Sequence, residues 1–241
     1  MERVLVERRG GVAWLRMNRP ESLNAWDRSM SPALVAALEK VAGDDSVRAV
    51  VLSATGRSFC TGLDTKMLGA GDLDTAYFGG WHDVFNALEA LDVPLIIAAR
   101  GHCLGGGLAL VLCGDYRVAA EDAVLGFSAV RGTVGVPPAL TYRLAEIVGA
   151  VRARRLALFA EYLGAEEALR IGLVDAVVPT DRLDEAASGL AERVCQHSPL
   201  AMRETKRLLR SVSAVDVDAA QKAVIEATGR CLDAIAAERR G

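Results

Sequence analysis

Three consecutive glycines, Gly105-Gly106-Gly107, set between an apolar run and a helical one, constrain this chain more than any other feature. Leu95 to Ala99 is a short apolar run closed by Arg100-Gly101, as in a buried strand, and the Ala/Leu/Val run after the glycines has helical character. The stretch Pro94 to Asp115 therefore reads as strand, glycine loop and helix N-terminus. Glycines there let a ligand approach the backbone, and the first-turn N–H groups point outward without intrahelical partners. Such donors favour an anion, either a phosphate or an oxyanion developing on a thioester carbonyl. Neither GxxxxGK[ST] nor GxGxxG occurs here, which argues against phosphate. Glycines serving only close helix packing are the plain alternative. A membrane span is excluded by Arg100, His102 and the glycines in the middle of the stretch.

The 241 residues suffice for one large core, or one domain with a small appendage. Lys and Arg number 28 against 31 Asp and Glu, net −3, with no run of like charge, so nucleic acid is not an expected partner. Met1-Glu2-Arg3-Val4 enters a strand pattern at once, and no secretory or transit segment is expected. Five cysteines (Cys60, Cys103, Cys113, Cys195, Cys231) lack CxxC spacing. A reducing, cytoplasmic setting fits, with neither a disulfide framework nor a metal site.

In chain order, Val4–Glu7 and Gly11–Met17 flank Arg9-Gly10-Gly11 as a β-hairpin. Asn18 to Trp26 (NRPESLNAW) is a polar loop, and Asp27 a plausible N-cap for a helix reaching about Ala42 with Leu34, Val35, Leu38 and Val41 on one face. Val47–Ser53 reads as a buried strand. Gly69–Gly80, rich in Gly and Asp, is expected to be a mobile lid, with Asp72 and Asp74 in potential reach of the site. A helix follows over about Gly80–Leu91, and Pro137-Pro138 starts another. Beyond Thr141 the pattern is helical over Tyr142–Val148, Val151–Phe159, Glu166–Ile171, Leu183–Gln196, Pro199–Leu209 and Val217–Ala237, with a strand at Leu173–Val178. The stripes Leu183, Leu190, Val194 and Leu200, Leu208, Leu209 should pack on the core or on a neighbouring subunit.

Gly56–Met67 (GRSFCTGLDTKM) completes a series of motifs: NRPESLNA, SFCTGLD, VPLIIAARGHCLGGGLAL ending in Cys-Gly-Asp, AEEALRIGLVDAVVP at Ala165–Pro179 and SPLAMRETKRLL at Ser198–Leu209. Together, and in this order, they resemble the crotonase (enoyl-CoA hydratase/isomerase) family over nearly the whole chain. The resemblance implies an α/β fold, a crotonase-like ββα superhelical spiral over 1–190 carrying the acyl-thioester site, with a C-terminal helical trimerisation region over 191–241. It implies an acyl-CoA or acyl-carrier thioester as substrate, coenzyme A or carrier pantetheine entering only as part of that substrate, no permanently bound cofactor, and a homotrimer or hexamer. The chain stops at Gly241, earlier than family members often do.

By the same resemblance, the backbone N–H groups of Thr61 and Gly106 would form the oxyanion hole that stabilises an enolate, each such donor contributing about 3 kcal/mol. Leu23, Asn24, Ala25, Leu63 and Asp64 would lie along CoA, with loop capping the alternative for Asn24 and Asp64. The two glutamates that hydratases of the family use fall on Ala109 and Ala129 here. Ordinary hydration needs a group within reach of both water and the α-carbon, so decarboxylation or C–C cleavage is expected ahead of it. A weak or atypical hydratase/isomerase and a non-catalytic acyl-CoA binder are the alternatives. His82, in the helix flanking the acyl pocket, could move a proton near neutral pH, although an exposed, idle histidine is the plainer reading. Arg131 could grip a substrate carboxylate, although a solvent-facing loop arginine is the plainer reading. Tyr77 and Tyr142 could be proton donors or simply packed aromatics; Cys60 and Cys103 are small buried hydrophobes rather than nucleophiles. Arg152, Arg154 and Arg155 form a solvated face or a contact for CoA phosphates.

Overall fold

The computed structural model describes residues 2–70, 73–127, 130 and 138–211. Arg131, Ala129, Asp72, Cys231 and the expected helix Val217–Ala237 lie outside the described residues.

β1 (Val4–Arg9) and β2 (Val12–Met17) form the expected antiparallel hairpin. α1 (Met30–Ala42) and β3 (Ala49–Ala54) follow, then α2 (Thr65–Ala70), α3 (Thr75–Ala90), β4 (Leu95–Ala99), β5 (His102–Leu104) and α4 (Gly106–Leu112). The chain continues through β6 (Tyr116–Ala120), β7 (Val124–Gly126), α5 (Pro138–Val148), α6 (Ala150–Leu158), β8 (Tyr162–Gly164), α7 (Ala165–Arg170), β9 (Ala176–Val178), α8 (Leu183–Val194) and α9 (Pro199–Ser211).

One sheet runs β1-β2-β3-β4-β6-β9, parallel from β2 onward. A second runs β5-β7-β8. Each turn places one strand in the large sheet, the next in the small sheet, then a helix: β4-β5-α4 and β6-β7-α5. This is a ββα spiral. An isolated bridge Cys60↔Cys103 puts the SFCTGLD loop beside β5, so the turn from β3 obeys the same rule.

The central strands β2, β3 and β4 of the large sheet are buried on both faces, which explains their nearly continuous apolar sequence. Leu15, Met17, Leu52, Ile97 and Ala99 face the main core with α1, α3 and α4. Trp14, Val51, Ile96, Ala98 and Val118 face the other way and are covered by α8. Small residues let α8 lie close: Leu183, Ala187 and Ala191 are its buried stripe, with Leu190 and Val194 at the margin. Residue 190, the expected domain boundary, falls inside this helix.

Several expectations are corrected. The helix after the first loop starts at Met30, not after Asp27; Asp27 Oδ1 instead accepts from Ser29 N (3.0 Å) and Ser29 Oγ (2.6 Å). Most of Gly69–Gly80 is not a lid without structure, because α2 and α3 occupy it up to Ala70 and from Thr75. Asp74 caps α3, accepting from Tyr77 N (2.8 Å). Leu200, Leu208 and Leu209 do not pack on the core of this chain; each is about two-thirds exposed. α9 is held instead through polar contacts. Lys206 Nζ donates to Val93 O (2.9 Å), and Arg207 and Arg210 pair with Asp92 (2.7 and 2.6 Å). Arg210 also donates to Glu89 O in the last turn of α3, where a cation is favoured.

Candidate active site

The site is assembled where three loops meet. The first, after β2, carries Leu23 and Asn24 at φ +52° and +55°, a left-handed conformation costly for a leucine. Asn24 holds it there. Its Oδ1 accepts from Arg19 N (2.7 Å), and its Nδ2 donates to Thr55 O (2.9 Å) and Ser58 O (2.8 Å) in the second loop. The side chain is fully buried, and these contacts use both of its N–H donors and one lone pair of its oxygen. Asp64 is engaged as well: Oδ2 accepts from Arg19 Nη1 (2.6 Å), and Oδ1 from Lys66 N (3.1 Å). Burial opposes ionisation of Asp64, but the Arg19 guanidinium and the Lys66 N–H outweigh it and hold the carboxyl below the usual range. Both side chains tie the loops together, as the loop-capping alternative expects.

The second loop carries Cys60-Thr61-Gly62-Leu63-Asp64. Trp26 pairs with it as a parallel bridge, donating from its N–H to Gly62 O (2.7 Å) and accepting from Asp64 N (3.1 Å). Thr61 N–H, the expected first donor, is turned to Leu23 O (3.3 Å). Leu63 N–H, between the two rungs of the Trp26 bridge, has no acceptor among the described residues. The free donor is thus two residues beyond the expected one. Only the partner of each N–H reveals this.

The third loop is the glycine run. Gly105 N–H is taken by Gly126 O (3.0 Å), whereas Gly106 N–H has no acceptor among the described residues. The two loops touch. A methyl group on Gly62, whose φ is +83°, would come within 2.7 Å of Leu104 O and 3.2 Å of Gly106 N. One on Gly107 would lie 2.1 Å from Cys60 O. The glycines are therefore required by approach of backbone to backbone, and that approach brings the second and third loops, with their free N–H groups, to one place.

Around these donors the side chains are mostly aromatic. Trp81 presses the edge of its six-membered ring on Gly106, where a methyl group would be 2.3 Å from Cζ3, and stacks on Trp26 at 4.3 Å and 19°. Neither tryptophan stood out in the sequence, although Trp26 directly follows the NRPESLNA motif. Tyr77 donates its hydroxyl to Trp26 O (2.6 Å), and burial raises its pKa further. Tyr142 donates to Glu89 Oε1 (2.9 Å), at a cavity of about 370 Å³ bounded by α3, α5, α9 and the residues that follow α4, and burial raises it as well. Both phenols serve as structural donors. His82, one residue after Trp81, is 7% exposed, a buried histidine and not the exposed one of the plainer reading. Ala109 is fully buried in α4 and offers no acid or base. Burial pushes the Cys60 thiol up to about 12 and Cys103 well above its ordinary value, which keeps both protonated. Arg152, Arg154 and Arg155 are exposed, and Arg155 pairs with Glu161 at 2.8 Å.

Comparison with known proteins agrees with this geometry. Residues 7–235 match the family model described as enoyl-CoA hydratase/isomerase. The short-chain-enoyl-CoA hydratase of Clostridium acetobutylicum is 33% identical, over 96% of this chain and 90% of that one. The 2,3-dehydroadipyl-CoA hydratase of Escherichia coli is 34% identical, over 91% and 86%. A crystal structure of an enoyl-CoA hydratase from Mycobacterium avium subsp. paratuberculosis superposes with a TM-score of 0.89 at 25% identity, covering 96% of this chain and 94% of that one. A monofunctional enoyl-CoA isomerase from M. smegmatis gives 0.77 at 32%, covering 90% and 98%. With the spiral, the order of its motifs and the match across the chain in agreement, this protein belongs to the enoyl-CoA hydratase/isomerase, or crotonase, family.

Proposed function

We propose that the protein binds an acyl-CoA thioester and holds its carbonyl oxygen on Leu63 N–H and Gly106 N–H while that oxygen gains enolate charge. The observation that carries this is the pair of N–H groups without an acceptor among the described residues, on two loops pressed together at Gly62 and Gly106. Main-chain donors fixed in advance need no reorganisation as charge develops, and losing one costs about 100-fold or more in turnover. The strained backbone at Leu23 and Asn24, with Ala25, Leu63 and Asp64, forms the wall along which CoA lies.

The reaction we favour is loss of a carboxylate from a malonyl-type thioester. The bond from the α-carbon to the carboxyl carbon breaks, its electron pair becomes the enolate held by the two N–H groups, and CO2 leaves. A single proton then returns to the α-carbon. This sequence needs no base, in keeping with alanine at 109 and 129. His82 is the side chain we assign to the proton, and Arg131 the one that orients the carboxylate. C–C cleavage is next, and would require a base. Hydration or isomerisation is the second reading, favoured by the names of the relatives. It requires a base from neither 109 nor 129.

The deciding experiment is mass-spectrometric turnover of crotonyl-CoA, malonyl-CoA, methylmalonyl-CoA and their carrier-protein counterparts. It is run on the wild type and on protein with an ester in place of the Leu63 amide. Loss of CO2 from a carboxylated thioester, slowed about 100-fold by the ester, supports the proposal. Hydration of crotonyl-CoA overturns the decarboxylase reading, and binding without turnover of any thioester leaves a non-catalytic binder. We also assign the exposed Leu200, Leu208 and Leu209 to a homotrimeric or hexameric interface, which analytical ultracentrifugation tests by mass.

A further inference from the structure

We infer that the Trp26–Trp81 stack is a positioning element that sets the separation of the two main-chain donors, an inference that rests on the oxyanion reading above. Each tryptophan is tied to one donor. Trp26 brackets Leu63 through its own backbone, with Gly62 O and Asp64 N as the two rungs. Trp81 abuts the α-carbon of Gly106 so closely that a side chain there would overlap its ring. Between them the rings stack at 4.3 Å, nearly parallel.

The stack cannot easily slide. Trp26 Nε1 donates to Ser31 Oγ (2.8 Å) on α1, and the Tyr77 hydroxyl donates to Trp26 O (2.6 Å) from the first turn of α3. Tyr77 and Phe85 brace the rings from either side, at centroid distances of 5.8 Å to Trp81 and 6.1 Å to Trp26. Gly80 lies against Ser31, so α3 approaches α1 closely at the level of the stack. Trp26 and Trp81 are 0% and 3% exposed. Rigid, buried aromatic surface between two loops transmits position more faithfully than flexible aliphatic contacts would. An oxyanion site depends on donor placement at the scale of tenths of an ångström. Trp26 meets the second loop through its backbone and Trp81 meets Gly106 through its ring, so the role assigned to the pair is to position.

The experiment reads carbonyl polarisation directly. A saturated acyl-CoA labelled with carbon-13 at the thioester carbonyl is bound to the wild type, Trp81→Leu, Trp81→Phe and Trp26→Phe, and difference infrared spectra are recorded. Wild type should shift the carbonyl stretch to lower wavenumber. Trp81→Leu should lose about half of that shift or more, and Trp81→Phe should restore most of it. The Kd for the same thioester should move less than about 3-fold, because ground-state binding rests on the CoA portion. With turnover, the loss should fall on kcat rather than KM. An unchanged shift in every folded variant overturns the positioning role while leaving the oxyanion reading intact. No shift in the wild type overturns the oxyanion reading itself. Thermal unfolding identifies any variant that fails to fold, and the two phenylalanine variants then decide.

Discussion

Arg19 Nη1 donates to Asp64 Oδ2 at 2.6 Å, joining the loop after β2 to the loop after β3 across the wall of the site. Both side chains are shielded, at 13% and 9% exposure, and Arg19 also reaches Ala25 O (2.9 Å) and Asp27 (3.3 Å). One guanidinium thus organises the whole first loop, and its removal leaves a carboxylate buried without its cation. Arg19→Met should cost about 3 kcal/mol, measured by urea unfolding at neutral pH.

The same pair makes an acid-side prediction. The Asp64 carboxyl lies lower in the folded chain than the ordinary value near 4, so its stabilisation is complete above that value. It is lost as pH falls through the lower, folded value. Wild type should therefore lose stability over that acid range more steeply than Asp64→Asn, and equal slopes would refute the linkage.

Asn24→Ala removes three hydrogen bonds inside the loop framework. Two carbonyls and one N–H lose their partner, at about 1 kcal/mol each or somewhat more. Unfolding free energy should fall by about 3 kcal/mol. Asn24→Asp should be no better, since a carboxylate cannot donate to Thr55 O and Ser58 O. A rise in KM for CoA thioesters with unchanged stability would show instead that Asn24 meets the ligand.

Gly62→Ala combines a positive φ with a methyl group forced 2.7 Å from Leu104 O. The second and third loops must separate to admit it. Turnover should drop by about 100-fold even in protein that remains folded by circular dichroism, because the donors no longer converge. Gly10→Ala, where nothing lies within 4 Å, should carry only the conformational penalty and keep full activity.

Alkylation should sort the described cysteines by burial. Cys60, Cys103 and Cys113 are buried, and burial pushes Cys60 and Cys113 up to about 12. Cys195 is partly accessible, and burial raises its thiol while the Arg48 charge opposes the rise. Iodoacetamide at mildly alkaline pH should modify Cys195 first, read by peptide mass mapping, and Cys60 only on unfolding.

The hairpin, β4, the glycine turn and most of the later helices were legible in the residues because each carries its own local signal: alternation, a turn pair, a 3.6-residue stripe. The family was legible because several motifs occur in one order. The three-residue strands β5, β7 and β8 were not, since so short a segment has no period and becomes a strand only when a partner pairs with it. The leucines of α9 carried a correct helical signal, but their spacing did not tell core from surface: Lys206, Arg207 and Arg210 dock the helix on this chain and the leucines stay exposed.

What the sequence determined by itself was that two glycine-bearing loops follow apolar strands and that positions 109 and 129 carry no carboxylate. Which N–H groups of those loops lack an acceptor among the described residues was decided by tertiary structure alone. Thr61 and Leu63 lie on either side of the same glycine and look alike in sequence, but Leu23 O captures the N–H of Thr61 while Trp26 brackets that of Leu63 and leaves it open. The choice rests on hydrogen bonds to residues far away along the chain, and no local pattern records them.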